Sequence, residues 1–571
     1  MSTTPKTTTD DDGFQQMLQN NSKEATVRLT AYTRELSAQA HHADHSWYIS
    51  FREWAKYNAL IALIRFVLSN IAIWIKTLIL SPATIFNDPL STMVALIVWP
   101  VVFVGLFFET IALKVITSMG GQFVIDWISK TFCQGYSLVN WPAPDLFTNE
   151  DTINAIKSAR ATMSGIPTTF PNVPAPGSTN VDMDNDLATT RIFDLDVAKT
   201  LLVFSALVYE RDDKLVQKAA SEQAHGHHQH AEALVWRSEH RIRKVAEDLW
   251  KLRYEGVADL SQPGGSFCSV FYSPPDSKDK FIAVVFKGTS PFSFAEWLVD
   301  MTLSRVDCTS YLGGGTCHQG FYSRLFSTNQ GGTDSYGTII RSLKHIAAEM
   351  KKGGASDFKV PLWVCGHSLG SAMASLFYNR LMHEPQDLGN NIVLRDAYVY
   401  GTPRLGDDLF AAKFDQTCLS PRDRPNIMWR VVNNADIVCR VPPGFSDKDS
   451  NKSTMGSSSL VNFAHLGVPF NLVPWFRPYY FVKERFFRSN TRVVVVKDGE
   501  QGHDNVGRFD SIAQDRNIVS WIMALTTPAF LYDHAPASYA QHLNKIRVDG
   551  QGGDARRGEK LGARIKRQPG A

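Results

Sequence analysis

A short apolar strand runs straight into a glycine-flanked serine in residues 362–370, Leu362-Trp363-Val364-Cys365-Gly366-His367-Ser368-Leu369-Gly370. A helix of small residues is predicted to follow over 371–382. A Gly-x-Ser-x-Gly pentapeptide between a strand and a helix is the nucleophile elbow. Its two glycines leave room for neighbouring backbone in a very tight turn. Ser368 is therefore the predicted nucleophile, at the positive end of the helix that follows.

Strands and helices alternate on both sides of this elbow, which is typical of α/β proteins. Strands are predicted over 268–272, 281–286, 397–400, 428–432 and 491–496, and helices over 197–209, 336–351, 371–382 and 512–525. We therefore expect an α/β-hydrolase fold, with a mostly parallel central sheet flanked by helices, and an N-terminal helical region that associates with a membrane.

The length of 571 residues predicts a large catalytic domain with appended regions. We expect a polar flexible arm (1–50), apolar membrane-associating helices (51–130), a connecting region with a Pro/Ser-rich linker (131–190), the catalytic domain (191–548) and a basic disordered tail (549–571). A net charge of +3, without zinc-finger spacing or a phosphate loop, gives no indication of nucleic-acid binding.

Two apolar stretches lie in the N-terminal third. Residues 59–80 are apolar but carry Arg65, Ser69 and Lys76, and these three fall within about 40° on a helix. That pattern favours a helix in a membrane interface. Residues 89–108 carry no charge over about the length of a bilayer core, with Pro100 allowing a kink. The alternative is a pair of buried helices in a soluble bundle.

Cysteine and histidine usage gives two weaker signals. Seven scattered cysteines do not form a disulfide framework, although Cys308 and Cys317 could either pair or remain free thiols. Four histidines lie within 225–230 but lack carboxylate or cysteine companions at ligand spacing. We interpret that segment as a polar insertion, and no metal or cofactor is predicted.

A nucleophilic serine needs a base and a residue that orients the base. In hydrolases of this fold the chain order is Ser, then Asp or Glu, then His. Asp436 follows the predicted strand 428–432 and therefore lies at its carboxyl edge, where α/β sites gather. For the base, both His465 and His534 are candidates, and spacing only weakly prefers His534.

The oxyanion of the reaction needs backbone or hydroxyl donors. One is expected to be the N–H of Leu369, directly after the nucleophile. Thr289 follows the predicted strand 281–286 and offers both a backbone N–H and a hydroxyl. Leu369 and Thr289 are thus the predicted oxyanion donors.

Several of these stretches occur in the order seen in class 3 (fungal-type) lipases. They are Phe286-Lys287-Gly288-Thr289-Ser290, Trp297, His318-Gln319-Gly320-Phe321, the elbow, Tyr400-Gly401-Thr402-Pro403-Arg404-Leu405-Gly406 and Asn434-Ala435-Asp436-Ile437-Val438. Phe463-Ala464-His465-Leu466-Gly467 and His534-Ala535-Pro536-Ala537-Ser538-Tyr539 further resemble plant oil-body triacylglycerol lipases. The resemblance covers roughly residues 267–543.

The resemblance implies a serine lipase with the triad Ser368, Asp436 and His534, and makes His465 a structural neighbour. It implies a triacylglycerol substrate at a membrane or lipid-droplet surface, with localisation to droplets or the endoplasmic reticulum membrane. A diacylglycerol lipase or phospholipase A is the alternative enzyme, and a scaffold that has lost catalysis is the rival class. Lys287 departs from the family, which usually has Arg there.

A lid is expected just after the oxyanion residue, where the resembling lipases carry theirs. Phe294, Trp297, Leu298 and Met301 recur at i, i+3, i+4 and i+7, which predicts one apolar stripe on a short helix. The alternative is that this stripe packs on the core. As a lid, it would cover the site in water and turn towards lipid at an interface.

Overall fold

A computed structural model describes residues 23–44, 144–166, 190–260, 263, 265–288, 304–327, 334–352, 358–419, 426–433, 436, 438–440, 442, 463–472, 492–496 and 533–546, with scattered positions between 68 and 121. The strands are β1 Thr190–Asp194, β2 Arg253–Asp259, β3 Phe267–Tyr272, β4 Ile282–Lys287, β5 Arg305–Asp307, β6 Thr316–His318, β7 Val360–His367, β8 Ile392–Tyr400, β9 Met428–Asn433, β10 Val468–Leu472 and β11 Arg492–Val496.

The helices are α1 Lys23–Asp44, α2 Pro144–Thr148, α3 Glu150–Ser164, α4 Leu195–Leu207, α5 Asp213–Ala224, α6 His228–Ser238, α7 His240–Arg243, α8 Thr309–Leu312, α9 Gln319–Phe326, α10 Ser335–Lys351, α11 Leu369–His383, α12 Asp408–Leu419 and α13 Pro536–Asn544. Short 3₁₀ turns occupy Val208–Glu210, Pro385–Leu388 and Val438–Arg440, and π-helical turns occupy Thr117–Gly121 and Lys244–Leu249.

The central sheet has the strand order β10-β9-β8-β7-β4-β3-β2. Its strands run parallel from β10 to β4, and β3 and β2 continue it antiparallel. Helices cover both faces. The expected α/β-hydrolase fold is therefore confirmed, and the parallel strands bring the ends of β4, β7, β8 and β9 to one edge.

Alternating side chains of the central strands supply two separate cores. On β4, Ala283 and Val285 enter one core, which contains α3, α4 and α13 residues. Val284 and Phe286 enter the other, with residues of α9, α10 and α11. Because successive strand residues point to opposite faces, a strand buried on both sides is mostly apolar, as β4 and β7 are up to their last residues, Lys287 and His367.

Helix α4 is the apolar helix expected over 197–209, and it is buried almost completely against the sheet. Asp194 caps it by accepting hydrogen bonds from the N–H groups of Asp196 and Val197. The chain then tightens into the 3₁₀ turn Val208–Glu210. This turn places the Tyr209 hydroxyl 3.1 Å from Nδ1 of His367 at the end of β7.

The expected domain boundaries need correction at the N-terminal side. Within the expected flexible arm, α1 is a helix that packs on the hydrolase, with Tyr32 and Leu36 buried one turn apart. Arg28 pairs with Glu255 at 2.6 Å and Glu349 at 2.9 Å. Within the expected connecting region, α3 packs into the core and its Met163 carbonyl accepts a hydrogen bond from the Trp363 indole.

Most predicted elements are found, with shifted ends. Strand β8 begins five residues earlier than expected, and β11 pairs with β1 in a two-stranded parallel sheet apart from the central one. Strand β2 was not predicted, because Gly256 and a register shift interrupt its apolar alternation. The helix expected over 512–525 lies outside the described residues.

The structure also describes the cysteine pair and the histidine-rich segment that the sequence singled out. Cys308 and Cys317 form a disulfide across the turn between β5 and β6. The histidine-rich segment joins α5 to α6, and His227 contacts Glu222 at 2.7 Å on the surface. Among the described residues, no three or more histidine, cysteine or carboxylate side chains form a group that could hold a metal ion.

The apolar N-terminal region is described only at scattered positions. Leu68, Ile71, Ile75 and Ile79 are helical or lie at helical positions and are exposed to solvent. At 100° per residue these four fall within about 80° of one another, so they form a single apolar face. Within the part of the chain that the structure describes, no helix has both the length and the apolar character to cross a membrane. The uncharged run 89–108 lies outside that part.

Candidate active site

The elbow places Ser368 between β7 and α11 in a strained backbone conformation. Its φ of 60° and ψ of −131° lie in a region that residues with a Cβ rarely occupy. The two flanking glycines are needed for close approach: a Cβ at Gly366 would lie 2.5 Å from the Gly370 carbonyl oxygen, and one at Gly370 would overlap the Phe286 carbonyl. The tight turn expected from the sequence is therefore present.

Ser368 is buried at the edge of the sheet. Its backbone N–H donates to the Tyr400 carbonyl at 2.9 Å, which ties the elbow to the end of β8. Its hydroxyl has no hydrogen-bond partner among the described residues. The side chain stands at the N-terminus of the 15-residue helix α11, where partial positive charge favours a developing anion.

His534 and Asp436 form a buried pair at the same edge. The His534 Nδ1 atom lies 2.9 Å from both Asp436 carboxylate oxygens. Asp436 also accepts hydrogen bonds from the Tyr539 hydroxyl at 2.6 Å and the Val438 N–H at 2.9 Å. Because Nδ1 faces the carboxylate, Nε2 is the nitrogen that can accept a proton in catalysis.

The charge on Asp436 is stabilised by these partners. Burial alone would raise the pKa of this carboxyl, since it disfavours the charged form. The attraction of His534 and the hydrogen bonds from His534, Tyr539 and Val438 outweigh burial and hold the pKa of Asp436 below its ordinary value. An ionised carboxylate is the form that orients an imidazole and stabilises an imidazolium.

The loop that carries His534 is fixed by β9. Asn433, the last residue of this strand, donates from its amide to the Asp533 carbonyl at 2.7 Å and to the Ser538 hydroxyl at 3.0 Å. Gly401 adopts a φ of 62°, and a Cβ there would lie 2.8 Å from the His534 ring. Asn433 and Gly401 thus shape the space that the histidine fills.

The oxyanion side of the site is described up to Gly288. A Cβ at Gly288 would lie 3.1 Å from the Ser368 Cβ, so the end of β4 is directly beside the nucleophile. Leu369, the other predicted donor, is the first residue of α11. Thr289 and the predicted lid residues Phe294, Trp297, Leu298 and Met301 lie outside the described residues.

His465 and Lys287, which the sequence also singled out, have surroundings that differ from those of the His534–Asp436 pair. His465, the second candidate base, has its Nε2 atom 2.8 Å from the Cys439 carbonyl oxygen. Lys287, the departure from the family pattern, is buried and pairs with Asp213 of α5 at 2.5 Å. The structure therefore joins His534 to Asp436.

Sequence reasoning did not assign roles to Tyr539, His367, Tyr209 or Asn433. Tyr539 follows His534 by five residues within a stretch already quoted for its resemblance, and that was a usable signal. His367 precedes the nucleophile inside the elbow. Tyr209 lies 159 residues before Ser368, and only the fold shows that they are neighbours.

Comparisons with known proteins extend this picture. Residues 283–446 match the family model described as Lipase (class 3). The chain is 25% identical over 245 residues to triacylglycerol lipase OBL1 of Ricinus communis, covering 37% of this chain and 45% of that protein. It is 26% identical over 149 residues to phospholipase A1-IIgamma of Arabidopsis thaliana, covering 23% and 34%. The chain spans less than half of the length of these relatives.

Two solved fungal lipases are also similar. The native Rhizomucor miehei lipase propeptide complex shares 26% identity, with 38% of this chain and 56% of that chain covered and a TM-score of 0.26. Lipase II from Rhizopus niveus shares 23% identity, with 40% and 69% covered and a TM-score of 0.26. Residues 283–446 thus match the class 3 lipase family, and the chain is similar to plant triacylglycerol lipases.

Proposed function

We propose that the chain is a serine lipase that hydrolyses the carboxylic ester bonds of triacylglycerols at a membrane or lipid-droplet surface and releases fatty acids. The observation that carries this proposal is the buried His534–Asp436 pair at the sheet edge where the elbow raises Ser368. A nucleophile, a base and a residue that orients the base are the parts an acyl transfer needs.

In the proposed reaction the Ser368 hydroxyl oxygen attacks the acyl carbonyl carbon, and its proton passes to His534 Nε2. The tetrahedral intermediate collapses, the proton moves to the leaving glycerol oxygen, and an acyl-serine remains. Water, deprotonated by the same histidine, attacks the acyl-serine, and His534 returns that proton to the Ser368 oxygen as the acyl–oxygen bond breaks and the fatty acid leaves. Asp436 keeps the imidazole oriented and stabilises its charged form in both halves.

The negative charge on the intermediate's oxygen requires donors. The N–H groups of Leu369 and Thr289 are the proposed pair, and each oxyanion donor is typically worth about 3 kcal/mol of transition-state stabilisation. The N-terminus of α11 adds a favourable dipole at the same point.

We propose that the enzyme acts at a lipid surface. The triacylglycerol substrate is proposed because two plant relatives are triacylglycerol lipases by name. Leu68, Ile71, Ile75 and Ile79 offer an exposed apolar face, which suits a helix lying in a membrane or droplet interface. Lipid droplets and the endoplasmic reticulum membrane are the proposed locations.

A second candidate is a phospholipase A or diacylglycerol lipase acting on membrane glycerolipids. The similarity to a plant phospholipase A1 favours it. The same residues would cleave the ester in each case. The two candidate functions differ in the leaving group and in how the substrate reaches Ser368.

Purified full-length protein should be assayed on triolein emulsion, diolein and phosphatidylcholine vesicles, with Ser368→Ala as the matched control. We expect fatty-acid release from triolein that the Ser368→Ala variant lacks. Release from phosphatidylcholine alone would favour the second candidate. Equal release by both proteins, or none from any ester, would contradict a serine lipase.

A further inference from the structure

The strongest unassigned feature is a line of hydrogen bonds behind the nucleophile. The Tyr209 hydroxyl lies 3.1 Å from His367 Nδ1, and His367 Nε2 lies 2.7 Å from the His534 carbonyl oxygen. The Tyr209 oxygen also accepts the backbone N–H of Gly288. We call this line, from Gly288 through Tyr209 and His367 to His534, the Tyr209 bridge.

The direction of each hydrogen bond follows from chemistry. A carbonyl oxygen only accepts, so the proton of the His367 ring is on Nε2. Nδ1 of a neutral imidazole is then an acceptor, and the Tyr209 hydroxyl donates to it. The alternative acceptor for this hydroxyl, the His367 carbonyl, is farther away at 3.4 Å.

The neutral state of His367 is consistent with its surroundings. The ring is fully buried, and burial together with the neighbouring His534 holds its pKa well below the ordinary value. The His367 and His534 rings lie with centroids 4.6 Å apart. Two charged imidazoles at that distance would repel each other, so the neutral form is favoured.

The bridge joins three separate elements that the reaction must hold in register. Gly288 directly follows β4 and precedes the proposed oxyanion donor, His367 precedes the nucleophile, and His534 is the proposed base. Gly288 approaches so closely that a Cβ there would lie 2.5 Å from the Tyr209 oxygen and 2.7 Å from the His367 carbonyl. Tyr209 itself comes from the turn after α4, outside the segment 283–446 that matches the family model.

We propose that Tyr209 and His367 are positioning residues that fix the oxyanion strand, the nucleophile elbow and the catalytic histidine relative to one another. The inference rests on the proposed function, since it concerns the geometry of the same hydrolysis. Neither side chain exchanges a proton with substrate. Errors of about 1 Å in such geometry lower turnover strongly, while ground-state binding is little affected.

The test is the turnover of a soluble short-chain p-nitrophenyl ester by Tyr209→Phe, which removes one oxygen atom and preserves the ring. We expect kcat to fall about tenfold or more, with KM within about threefold of wild type. Tyr378→Phe is the matched control, because it removes another buried hydroxyl, which donates to the Ile427 backbone at 3.2 Å. The control should lower the melting temperature about as much as Tyr209→Phe and leave kcat within twofold.

A double-mutant cycle separates positioning from general packing. His367→Gln keeps a donor for the His534 carbonyl and loses the ring acceptor of Tyr209. His367→Gln should therefore retain more activity than His367→Ala, and Tyr209→Phe should cost about twofold or less in the Gln background. Additive effects in this cycle would show two independent packing roles and overturn the proposal.

Different experimental results would overturn the Tyr209 bridge and the proposed lipase function. A wild-type chain without Ser368-dependent turnover would overturn the lipase assignment and the bridge with it. An active wild type with Tyr209→Phe within twofold in kcat would overturn the bridge alone. If Tyr209→Phe does not fold, the proposal is tested by comparing the kcat of His367→Gln with that of His367→Ala. Equal kcat values for these two variants would also contradict the proposal.

Discussion

At the scale of single residues, the choice between the two histidines is the sharpest chemical question. His534 Nδ1 is 2.9 Å from Asp436, whereas His465 Nε2 lies 2.8 Å from the Cys439 carbonyl oxygen. His534→Ala should lower kcat on a soluble ester at least about a thousandfold, as Ser368→Ala does, because triad members act as a unit. His465→Ala is the matched control and should retain most turnover. An inactive His465→Ala variant together with an active His534→Ala variant would show that His465, and not His534, is the base.

Tyr539 is expected to stabilise the Asp436 carboxylate of the His534–Asp436 pair. Its hydroxyl donates to Asp436 at 2.6 Å, and it is fully buried. Tyr539→Phe should lower kcat about three- to tenfold, since one of the carboxylate's hydrogen bonds is lost. Tyr398→Phe, another buried tyrosine, serves as control in the same steady-state assay. Unchanged kcat in Tyr539→Phe would make this contact structural only.

The neutral His367 should make stability depend on pH in a defined direction. His534, Asp436, Tyr209 and Tyr539 face its ring, and its folded pKa lies well below the unfolded value of about 6.5. Stability from a depressed histidine is complete above about pH 6.5 and is lost as the pH falls towards the folded pKa, because the unfolded chain binds the proton first.

The melting temperatures of wild type and His367→Gln, measured from about pH 8 to pH 5, test this expectation. The advantage of wild type over the variant should shrink as the pH falls. The difference between the two proteins cancels contributions from other titrating groups. A constant difference across the range would show that His367 does not titrate between the folded and unfolded states.

At the scale of elements, the strand–turn–helix run around Ser368 was predictable because local spacing and glycine positions determine it. Strands β4, β7 and β9 were predictable for a similar reason, since strands buried on both faces are apolar runs. Strand β2 was not, because Gly256 breaks its pattern. The pairing of β11 with β1 was not predictable either, since nearly three hundred residues separate them.

The lid is the element whose role stays a prediction. Residues 291–303 lie outside the described part of the chain, so the stripe Phe294, Trp297, Leu298 and Met301 rests on spacing and position alone. Exposing such a stripe in water costs several kcal/mol at about 25 cal/mol per Å², and a lipid surface removes that cost. The closed state should dominate in solution and the open state at an interface.

Activity should therefore rise sharply once an ester exceeds its solubility and forms droplets. Trp297→Asp should depress activity on droplets more than on dissolved substrate, because it makes the stripe polar. The measurement is initial rate against total ester concentration across the solubility limit. A smooth hyperbola, with Trp297→Asp affecting both substrate forms equally, would leave the stripe as ordinary core.

At the scale of the whole molecule, the N-terminal third divides into parts with different roles. Helix α1, in a stretch that sequence composition presented as a solvated arm, packs on the hydrolase through Tyr32 and the Arg28–Glu255 pair. Its partners are far away in sequence, and for that reason its docking could not be read from composition. The proposed catalytic residues, by contrast, follow one another in a familiar order, so Ser368, Asp436 and His534 could be proposed from the sequence.

The apolar region should attach the molecule firmly to lipid. Full-length protein expressed in cells is expected to stay with membranes or droplets after high-salt and carbonate washing, because apolar burial is insensitive to both. Deleting residues 59–116 should weaken that retention and leave activity on a soluble ester. The basic tail 549–571 is no substitute, since salt screens its attraction. Complete release of the intact chain by carbonate would contradict an embedded segment.

The most direct test of the central claim is covalent labelling of the nucleophile. A fluorophosphonate probe reacts with a serine that a histidine activates, and peptide mass spectrometry identifies the labelled residue. We expect the label on Ser368 in wild type and in His465→Ala, and none on that residue in His534→Ala. Labelling on a different serine, or equal labelling of Ser368 in His534→Ala, would contradict the Ser368–His534–Asp436 assignment.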